Sequence, residues 1–133
     1  AFPNRRVALV TGDGSFHMNL NELVTLSSYQ MPIVVVLMNN TVLGMVRQWQ
    51  KLFYGRRFSQ TDPHRKTDFV ELARAFGVEG LRITREDQID GVLKQAFDLN
   101  RPVVVDCQIS PDDNVLPMIP PGGTTENLIL EMD

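Results

Sequence analysis

Two short polar motifs each follow an apolar, strand-like run of the sequence. Gly12-Asp13-Gly14 follows VALVT, and Asn39-Asn40 ends the run IVVVLMNN. The carboxylate of Asp13 and the amide oxygen of Asn40 are hard oxygen ligands of the kind that Mg²⁺ and Ca²⁺ prefer, and Mg²⁺ commonly completes its octahedron with phosphate and water. Glycines let backbone N–H groups approach phosphate oxygens closely. These residue types predict a site where a divalent cation joins an anionic ligand to the protein.

The same motifs have an ordinary structural interpretation. Asp-Gly is a common turn, and Asn-Asn is a common start of a loop. In favour of a site, the hydroxyl of Ser15 adds a donor, and the turn after Asn40 can offer a backbone carbonyl such as that of Val42. Residue chemistry alone leaves both interpretations open, and the position of the two motifs relative to each other decides between them.

The elements around the motifs alternate between strands and helices. Residues 6–11 are typical of a short strand buried on both faces of a parallel sheet. A helix should follow the glycine turn, with Asn19 and Glu22 as a capping box, before the β-branched strand 33–38. Because one helix separates the two strands, we expect them to be neighbours about 5 Å apart, with their carboxyl ends side by side.

The rest of the chain continues the alternation. It predicts a helix over 43–53, a loop over 54–66, a helix capped by Asp68 and Glu71 and ended by Gly77, a strand over 80–84, a helix over 84–100, a strand over 102–109 and an irregular tail over 110–133. Alternating strands and helices predict an α/β fold, a three-layer αβα arrangement with a mainly parallel sheet. All 133 residues are assigned to one domain.

Composition excludes several classes of protein. The chain is 43% hydrophobic and 22% charged, as in ordinary globular domains, and its net charge of −3 gives no reason to invoke nucleic acid or an anionic membrane. No apolar run approaches the roughly 20 residues that span a bilayer. The single Cys107 excludes an internal disulfide and is predicted to be a small buried strand residue.

The spacing of the motifs resembles a known cofactor signature. Gly-Asp-Gly, 25 residues (Ser15 to Asn39) and then Asn40 is similar to the thiamin-diphosphate motif of the 2-keto-acid decarboxylase and synthase superfamily. GDGSFHMNLNEL, VVVLMNNTVLGMVRQWQKLFYGRRFS, DFVELARAFGVEGLRI and VLPMIPPGG together resemble the C-terminal cofactor domain of acetolactate synthase (acetohydroxyacid synthase). GMVRQWQKLFYGRRFS is the most specific segment, and it favours the biosynthetic, FAD-containing branch.

The resemblance implies a set of site residues. Asp13 and Asn40 would ligate Mg²⁺ through their side chains and Val42 through its carbonyl, while Val46 and Trp49 would line the substrate channel. By spacing alone, apolar residues four apart on a helix are more often core. No catalytic residue is assigned to this chain, because the glutamate that activates the cofactor is expected in another domain of a partner subunit. Cofactor contacts are assigned to Gly12, Asp13, Gly14, Ser15, Asn40, Val42 and Met45.

The resemblance also implies an activity. It predicts decarboxylation of pyruvate and condensation with a second pyruvate or with 2-ketobutyrate, in branched-chain amino acid biosynthesis. The expected cofactors are thiamin diphosphate, Mg²⁺ and FAD, the last bound outside this chain. The expected partners are a second catalytic subunit, as homodimer or homotetramer, and a small regulatory subunit, with neither nucleic acid nor membrane. The expected compartment is the cytoplasm of a bacterium or the stroma or matrix of an organelle. As an N-terminally truncated domain, the chain is expected to be inactive alone.

Two alternatives stay open on sequence grounds. One is another thiamin-diphosphate-dependent decarboxylase, oxidase or carboligase, and the other is a non-catalytic domain that binds a subunit. The basic residues of the 54–66 loop are interpreted as a solvated surface, with FAD, a regulatory subunit or another protomer as the alternative contact. These residues are Arg56, Arg57, Arg65 and Lys66. A dinucleotide-binding domain is disfavoured because GDGSFH lacks the third glycine of GxGxxG.

Overall fold

Four parallel strands form one sheet in the order β1-β2-β4-β3 in the computed structural model, which describes residues 5–131. The strands are β1 (Val7–Gly12), β2 (Ile33–Asn39), β3 (Glu79–Ile83) and β4 (Val103–Gln108). The helices are α1 (Asp13–Asn19), α2 (Leu23–Ser28), α3 (Gly44–Phe53), α4 (Phe69–Ala75) and α5 (Ile89–Asp98), with 3₁₀ turns at Leu20–Glu22, Glu86–Gln88 and Thr125–Asn127. None of the helices within residues 5–131 is long and apolar enough to cross a bilayer. The last two residues of the predicted tail lie outside the described range.

An apolar core lies on each face of the sheet. Alternate side chains of a strand point to opposite faces, so Val35 and Leu37 of β2 pack against α1, α2 and α4, whereas Val34 packs against α5. The first core consists of Phe16, Leu23, Val35, Leu37, Phe69, Ala73, Val78 and Val104, and the second of Val34, Ile83, Ala96, Val103, Val105 and Cys107. This arrangement confirms the α/β class, the three layers and the burial of Cys107.

The prediction that the first strand is buried on both faces is wrong within the described residues. β1 is an edge strand whose one partner is β2, and Val10 is 67% exposed, with Val7 and Leu9 about half exposed. The buried strand residues of both cores come mainly from β2 and β4, so β1 is exposed although its residues are apolar.

The helix after β1 begins earlier than its capping pattern predicts. α1 starts at Asp13, with Gly12 as an extended N-cap, and the Asn19 side chain makes no capping hydrogen bond. The predicted capping box fails because a 3₁₀ turn continues from the end of α1 into α2, which leaves Asn19 at the end of a helix. Asp13 therefore occupies the first turn of α1, where the helix dipole favours a carboxylate.

Of the predicted capping pair of α4, Asp68 forms its cap, whereas the carboxylate of Glu71 pairs with Arg74. One carboxylate oxygen of Asp68 accepts hydrogen bonds from the N–H groups of Val70 and Glu71, at 2.9 and 3.1 Å. The same oxygen accepts a 2.6 Å bond from Arg82 of β3. The hydrogen bond from Arg82 and then that from Glu71 hold the pKa of Asp68 below its usual value.

Asp68→Ala is expected to lower the free energy of unfolding by about 1 kcal/mol at neutral pH, the usual cost of losing such a cap. The folded-state pKa of Asp68 is lowered, so its stabilisation is complete above its unfolded pKa of about 3.9 and is lost as the pH falls through the folded value. Urea unfolding at pH 7 and pH 3 measures this, with Asp68→Asn as the variant that keeps the cap but not the charge. An equal difference between wild type and Asp68→Ala at both pH values would contradict the assignment.

Candidate functional site

The two polar motifs line one cavity at the carboxyl ends of the strands. β1 pairs with β2 in parallel, Gly12 lies opposite Met38, and the cavity has a volume of about 690 Å³. The prediction that these two strands are neighbours in the sheet is therefore confirmed. Eight of the nine predicted site residues line this cavity, namely Gly12, Asp13, Gly14, Ser15, Asn40, Val42, Met45 and Val46.

Trp49 is the predicted residue that does not line the cavity. It is half-buried on α3, and its ring packs edge-on against Phe53 with the centroids 5.4 Å apart. Met45 and Val46, one turn earlier on the same helix, supply the apolar wall. A role for Trp49 in a substrate channel stays a prediction.

The carboxylate of Asp13 is buried beside the cavity, with only 3% of the residue exposed. Burial raises the pKa of Asp13 above its usual value, and the guanidinium of Arg65 opposes that shift, as does the N–H of Gly14. Nη2 of Arg65 lies 3.1 Å from Oδ2 of Asp13. A bound divalent cation would favour the ionised carboxylate in the same sense.

Arg65 is the exception to the prediction that the basic residues of the 54–66 loop form a solvated surface, since Arg56, Arg57 and Lys66 are exposed as predicted. The side chain of Arg65 is only 19% exposed, because it folds back onto α1 to reach Asp13. Its Nε and Nη2 atoms are buried without a hydrogen-bond partner, so the contact with Asp13 has the distance of an ion pair but not the alignment of a hydrogen bond. A methyl group added at Gly14 would lie 4.0 Å from Nη2, which places this unsatisfied donor behind the residue predicted to contact a diphosphate.

His17 fixes the backbone of Asp13 one turn along α1. Its Nδ1 lies 2.9 Å from the carbonyl oxygen of Asp13, and its Nε2 lies 3.0 Å from the hydroxyl of Thr67. Because a carbonyl can only accept, the contact with Asp13 assigns a proton to Nδ1. Nη1 of Arg65 lies 3.3 Å from Nδ1, so this contact is between two donors. The ring also packs edge-on against Phe69 at 5.0 Å, so His17 has a structural role.

The side chain of Asn40 is held against the backbone that follows it. Its Oδ1 accepts a hydrogen bond from the N–H of Val42 at 3.2 Å, and the N–H of Leu43 donates to the carbonyl of Thr61 at 2.8 Å. A methyl group added at Gly44 would lie 2.6 Å from Nδ2 of Asn40. The first residue of α3 must therefore be glycine if the Asn40 amide is to keep this orientation.

Gly44→Ala is expected to weaken binding of a metal–cofactor complex about tenfold or more, the usual loss when the support of a ligand is disturbed. The fold should survive, because the atom in the way is the end of a side chain. Calorimetric titration of Mg²⁺ with thiamin diphosphate, alongside thermal unfolding, tests this in the full-length protein. Gly91→Ala is the matched control, since nothing lies within 4 Å of the added methyl. Unchanged affinity in Gly44→Ala would show that the Asn40 orientation does not matter.

Sequence reasoning missed several residues of the cavity wall. Met18 lies one turn after Gly14 and would have been found had the helix been started at Asp13; Ile109 follows the carboxyl end of β4, where ligand-contacting residues are expected. The tail residues gave no periodic pattern that would place them at the site. The missed lining residues are Met18, Met38, Leu43, Gly44, Gln48, Ile109, Asp113, Asn114 and Val115.

Gln48 holds the irregular tail against the cavity. This buried side chain donates to the carbonyl of Val115 at 2.8 Å and accepts from the N–H of Val115 at 2.9 Å. Beside it, Arg47 pairs with Asp112 at 3.0 Å. The tail is irregular as predicted, but these contacts pin it to α3.

The comparison with known families identifies the family of this chain. The sequence profile described as "Thiamine pyrophosphate enzyme, C-terminal TPP binding domain" matches residues 1–107, which include both motifs and all four strands up to Cys107. The chain belongs to the thiamine pyrophosphate enzyme family. The resemblance seen in the sequence is thereby confirmed, and thiamine pyrophosphate, which is thiamin diphosphate, is the cofactor of the family domain.

Relatives within the thiamine pyrophosphate enzymes are similar over almost the whole chain. The acetolactate synthase isozyme 2 large subunit of Escherichia coli K12 is 42% identical over 129 residues, 97% of this chain and 24% of that protein. A probable acetolactate synthase large subunit of Methanocaldococcus jannaschii is 44% identical over 97% of this chain and 22% of its own length. The chain thus spans about a quarter of the length of these curated relatives.

A solved structure supports the same family fold. The thiamine diphosphate-dependent 4-hydroxybenzoylformate decarboxylase of Rhodococcus jostii RHA1 superposes with a TM-score of 0.75 at 26% identity. The match covers 81% of this chain and 20% of that protein. The parallel sheet and its flanking helices are therefore those of a thiamine pyrophosphate enzyme.

The residues of the cavity fit a metal–diphosphate group. Residues 5–131 contain no group of three or more His, Cys, Asp or Glu side chains that could hold a metal ion by themselves. A cation here would need neutral oxygens and the diphosphate to complete its shell, as Mg²⁺ commonly does. Asp13, the amide of Asn40 and the Val42 carbonyl offer that donor set, and the unsatisfied donors of Arg65 behind Gly14 suit an anionic neighbour.

Proposed function

We propose that this chain supplies the Mg²⁺- and diphosphate-binding part of an acetolactate synthase large subunit. The observation that carries the proposal is that both polar motifs line the same cavity as Met45 and Val46 of α3. α3 lies in the segment GMVRQWQKLFYGRRFS, and relatives at 42 and 44% identity bear the name acetolactate synthase. The activity would join two 2-keto acids, with pyruvate as donor and pyruvate or 2-ketobutyrate as acceptor.

The residues of the chain have distinct tasks under this proposal. Asp13 and Asn40 would hold Mg²⁺ with their side-chain oxygens, and Val42 with its carbonyl. Gly14 and Ser15 would donate hydrogen bonds to the diphosphate at the start of α1. When bound, thiamin diphosphate supplies the electron sink needed for the loss of CO₂ from a 2-keto acid.

The apolar wall of the cavity would keep water from the reacting centre. Met45 and Val46 are about half exposed, and both face the cavity from α3. Together with Met18 and Met38 they offer a flexible apolar surface, the kind that adapts to differently shaped ligands. Exclusion of water strengthens the electrostatic contacts within a closed site.

The remaining parts of the enzyme are proposed by analogy with the family. FAD would be bound by regions outside this chain, and the partners would be a second catalytic subunit, as homodimer or homotetramer, and a small regulatory subunit. The activating glutamate would come from a partner subunit. We therefore expect the 133-residue chain alone to turn over no pyruvate. The cellular compartment stays a prediction.

Product analysis of the full-length protein tests the proposed function. With Mg²⁺, thiamin diphosphate, FAD and pyruvate, we expect acetolactate, and with added 2-ketobutyrate, acetohydroxybutyrate. Both products can be identified by mass spectrometry. Acetaldehyde and CO₂ without a condensation product would instead assign the protein to the simple decarboxylases, a class to which the solved relative belongs by its name.

A further inference from the structure

A buried carboxylate lies in the middle of β4, outside the cavity wall. Asp106 is 1% exposed and stands among the apolar residues of its strand. A buried charge is costly unless it is paired and hydrogen-bonded. Both oxygens of Asp106 are satisfied: Oδ1 accepts from Nδ2 of Asn39 at 2.9 Å, and Oδ2 accepts from Nε of Arg82 at 3.1 Å.

These bonds join four elements of the fold. Arg82 of β3 reaches on to Asp68, the cap of α4, and Asn39 is the last residue of β2. The network Asn39–Asp106–Arg82–Asp68 therefore runs from the cap of α4 through β3 and β4 to the tip of β2. Its end at Asn39 is adjacent to Asn40, the predicted metal ligand.

The amide oxygen of Asn39 stabilises a strained turn. Its Oδ1 accepts from the N–H of Thr41 at 3.2 Å, and Thr41 has a φ of +63°. A β-branched residue in this left-handed region is a genuine outlier that persists only when its surroundings hold it there. The next bond in the turn is the one from Val42 to Oδ1 of Asn40. The orientation of both predicted ligands thus follows from a turn that Asn39 secures.

We propose that Asp106 is a positioning residue for the metal site: it fixes the amide of Asn39, which holds Thr41 and thereby aims Asn40 and Val42 into the cavity. This inference rests on the proposed function, because it assigns a purpose to the network only if those residues bind a metal. Neither Asp106 nor Asn39 lines the cavity, so neither is a ligand itself.

The isosteric variant Asp106→Asn breaks this arrangement with little change in shape. If the new amide accepts from Arg82, its NH₂ group faces the NH₂ group of Asn39, and two donors cannot pair. If Asn39 rotates to accept instead, its NH₂ group meets the N–H of Thr41. In the first case Asn39 loses the bond to residue 106 that fixes its amide, and in the second the turn loses the bond between Asn39 and Thr41. We expect the Mg²⁺ dissociation constant at saturating thiamin diphosphate to rise about tenfold or more, the usual effect of losing an outer partner of a metal ligand.

Reversal of the pair should restore the site. In the double variant Asn39→Asp with Asp106→Asn, the amide at 106 donates to the carboxylate at 39 and still accepts from Arg82. The carboxylate at 39 still accepts from Thr41. We expect its Mg²⁺ affinity to return to within about threefold of wild type, the coupling that a double-mutant cycle detects.

The experiment is a calorimetric Mg²⁺ titration of the full-length protein with saturating thiamin diphosphate, with thermal unfolding measured on each variant. Val105→Ala is the matched control, because it lies beside Asp106 but packs in the core on the opposite face of the sheet. It should lower the melting temperature and leave the Mg²⁺ affinity unchanged. Wild-type affinity in Asp106→Asn, or failure of the double variant to recover affinity, would overturn the positioning role. A wild-type protein that shows no Mg²⁺-dependent cofactor binding would instead overturn the proposed function.

Discussion

Asp13→Ala is expected to lower the Mg²⁺-dependent affinity for thiamin diphosphate by at least about 100-fold. Loss of an outer partner of a ligand costs 10- to 100-fold, so loss of the only charged ligand proposed here should reach or exceed the upper end of that range. Asp13 is buried at the start of α1 and lines the cavity, and its carboxylate also pairs with Arg65. Titration of the full-length protein, with and without Mg²⁺, measures the effect.

Two control variants separate the loss of a ligand from simpler explanations. Asp113→Ala removes a carboxylate from the same cavity wall, and we expect it to change the affinity less than about threefold. Asp13→Ala also leaves the guanidinium of Arg65 without its carboxylate, which destabilises a buried pair. Asp13→Asn combined with Arg65→Met removes that cost and should still fail to bind. Wild-type affinity in this double variant would reject the metal assignment.

The sequence predicts the layout of this site because local rules act on it directly. A helical crossover, here α1 and α2, makes β1 and β2 parallel neighbours, and parallel sheets bind ligands at the carboxyl ends of their strands. Asp13 and Asn40 therefore had to face one cavity once both strands were recognised. The cap of α4 was predictable for the same reason, because Asp68 needs only the nearby N–H groups of Val70 and Glu71.

The residues that sequence reasoning missed act over long distances in the chain. Arg65 reaches Asp13 from a loop with no periodicity, 52 positions away, and no local pattern signals that contact. Asp106 offered a better clue, since a carboxylate inside an apolar strand must have a partner. The partner, Asn39, lies 67 residues away and was identified only through the register of β2 and β4.

The exposure of β1 has a different cause. Its apolar composition predicts burial, but burial of a strand depends on what covers it, and composition does not specify that. β1 has one strand partner among the described residues, and the buried core residues of the sheet come mainly from β2 and β4. Pattern reasoning thus identifies the strand and its direction, while its place at an edge follows from the topology.

Gly80→Ala is expected to lower the free energy of unfolding by about 3 kcal/mol, at the upper end of the usual cost of overpacking a core. Gly80 lies in β3 under α4, and a methyl group there would lie 2.7 Å from the backbone oxygen of Val70 and 3.0 Å from its Cα. Backbone atoms cannot rotate away as the end of a side chain can, so α4 would have to move off the sheet. Chemical denaturation of the full-length protein, followed at the domain's own transition, measures this loss.

Gly91→Ala provides the opposite case with the same chemical change. Gly91 lies within α5, nothing lies within 4 Å of the added methyl, and alanine is preferred over glycine in helices by up to about 1 kcal/mol. We therefore expect Gly91→Ala to raise the free energy of unfolding while Gly80→Ala lowers it. If both variants were equally stable, the close packing of β3 against α4 would be wrong. Displacement of α4 would also carry its cap, Asp68, away from Arg82, so Gly80→Ala should weaken Mg²⁺ binding as well as stability, whereas Gly91→Ala should leave Mg²⁺ binding unchanged.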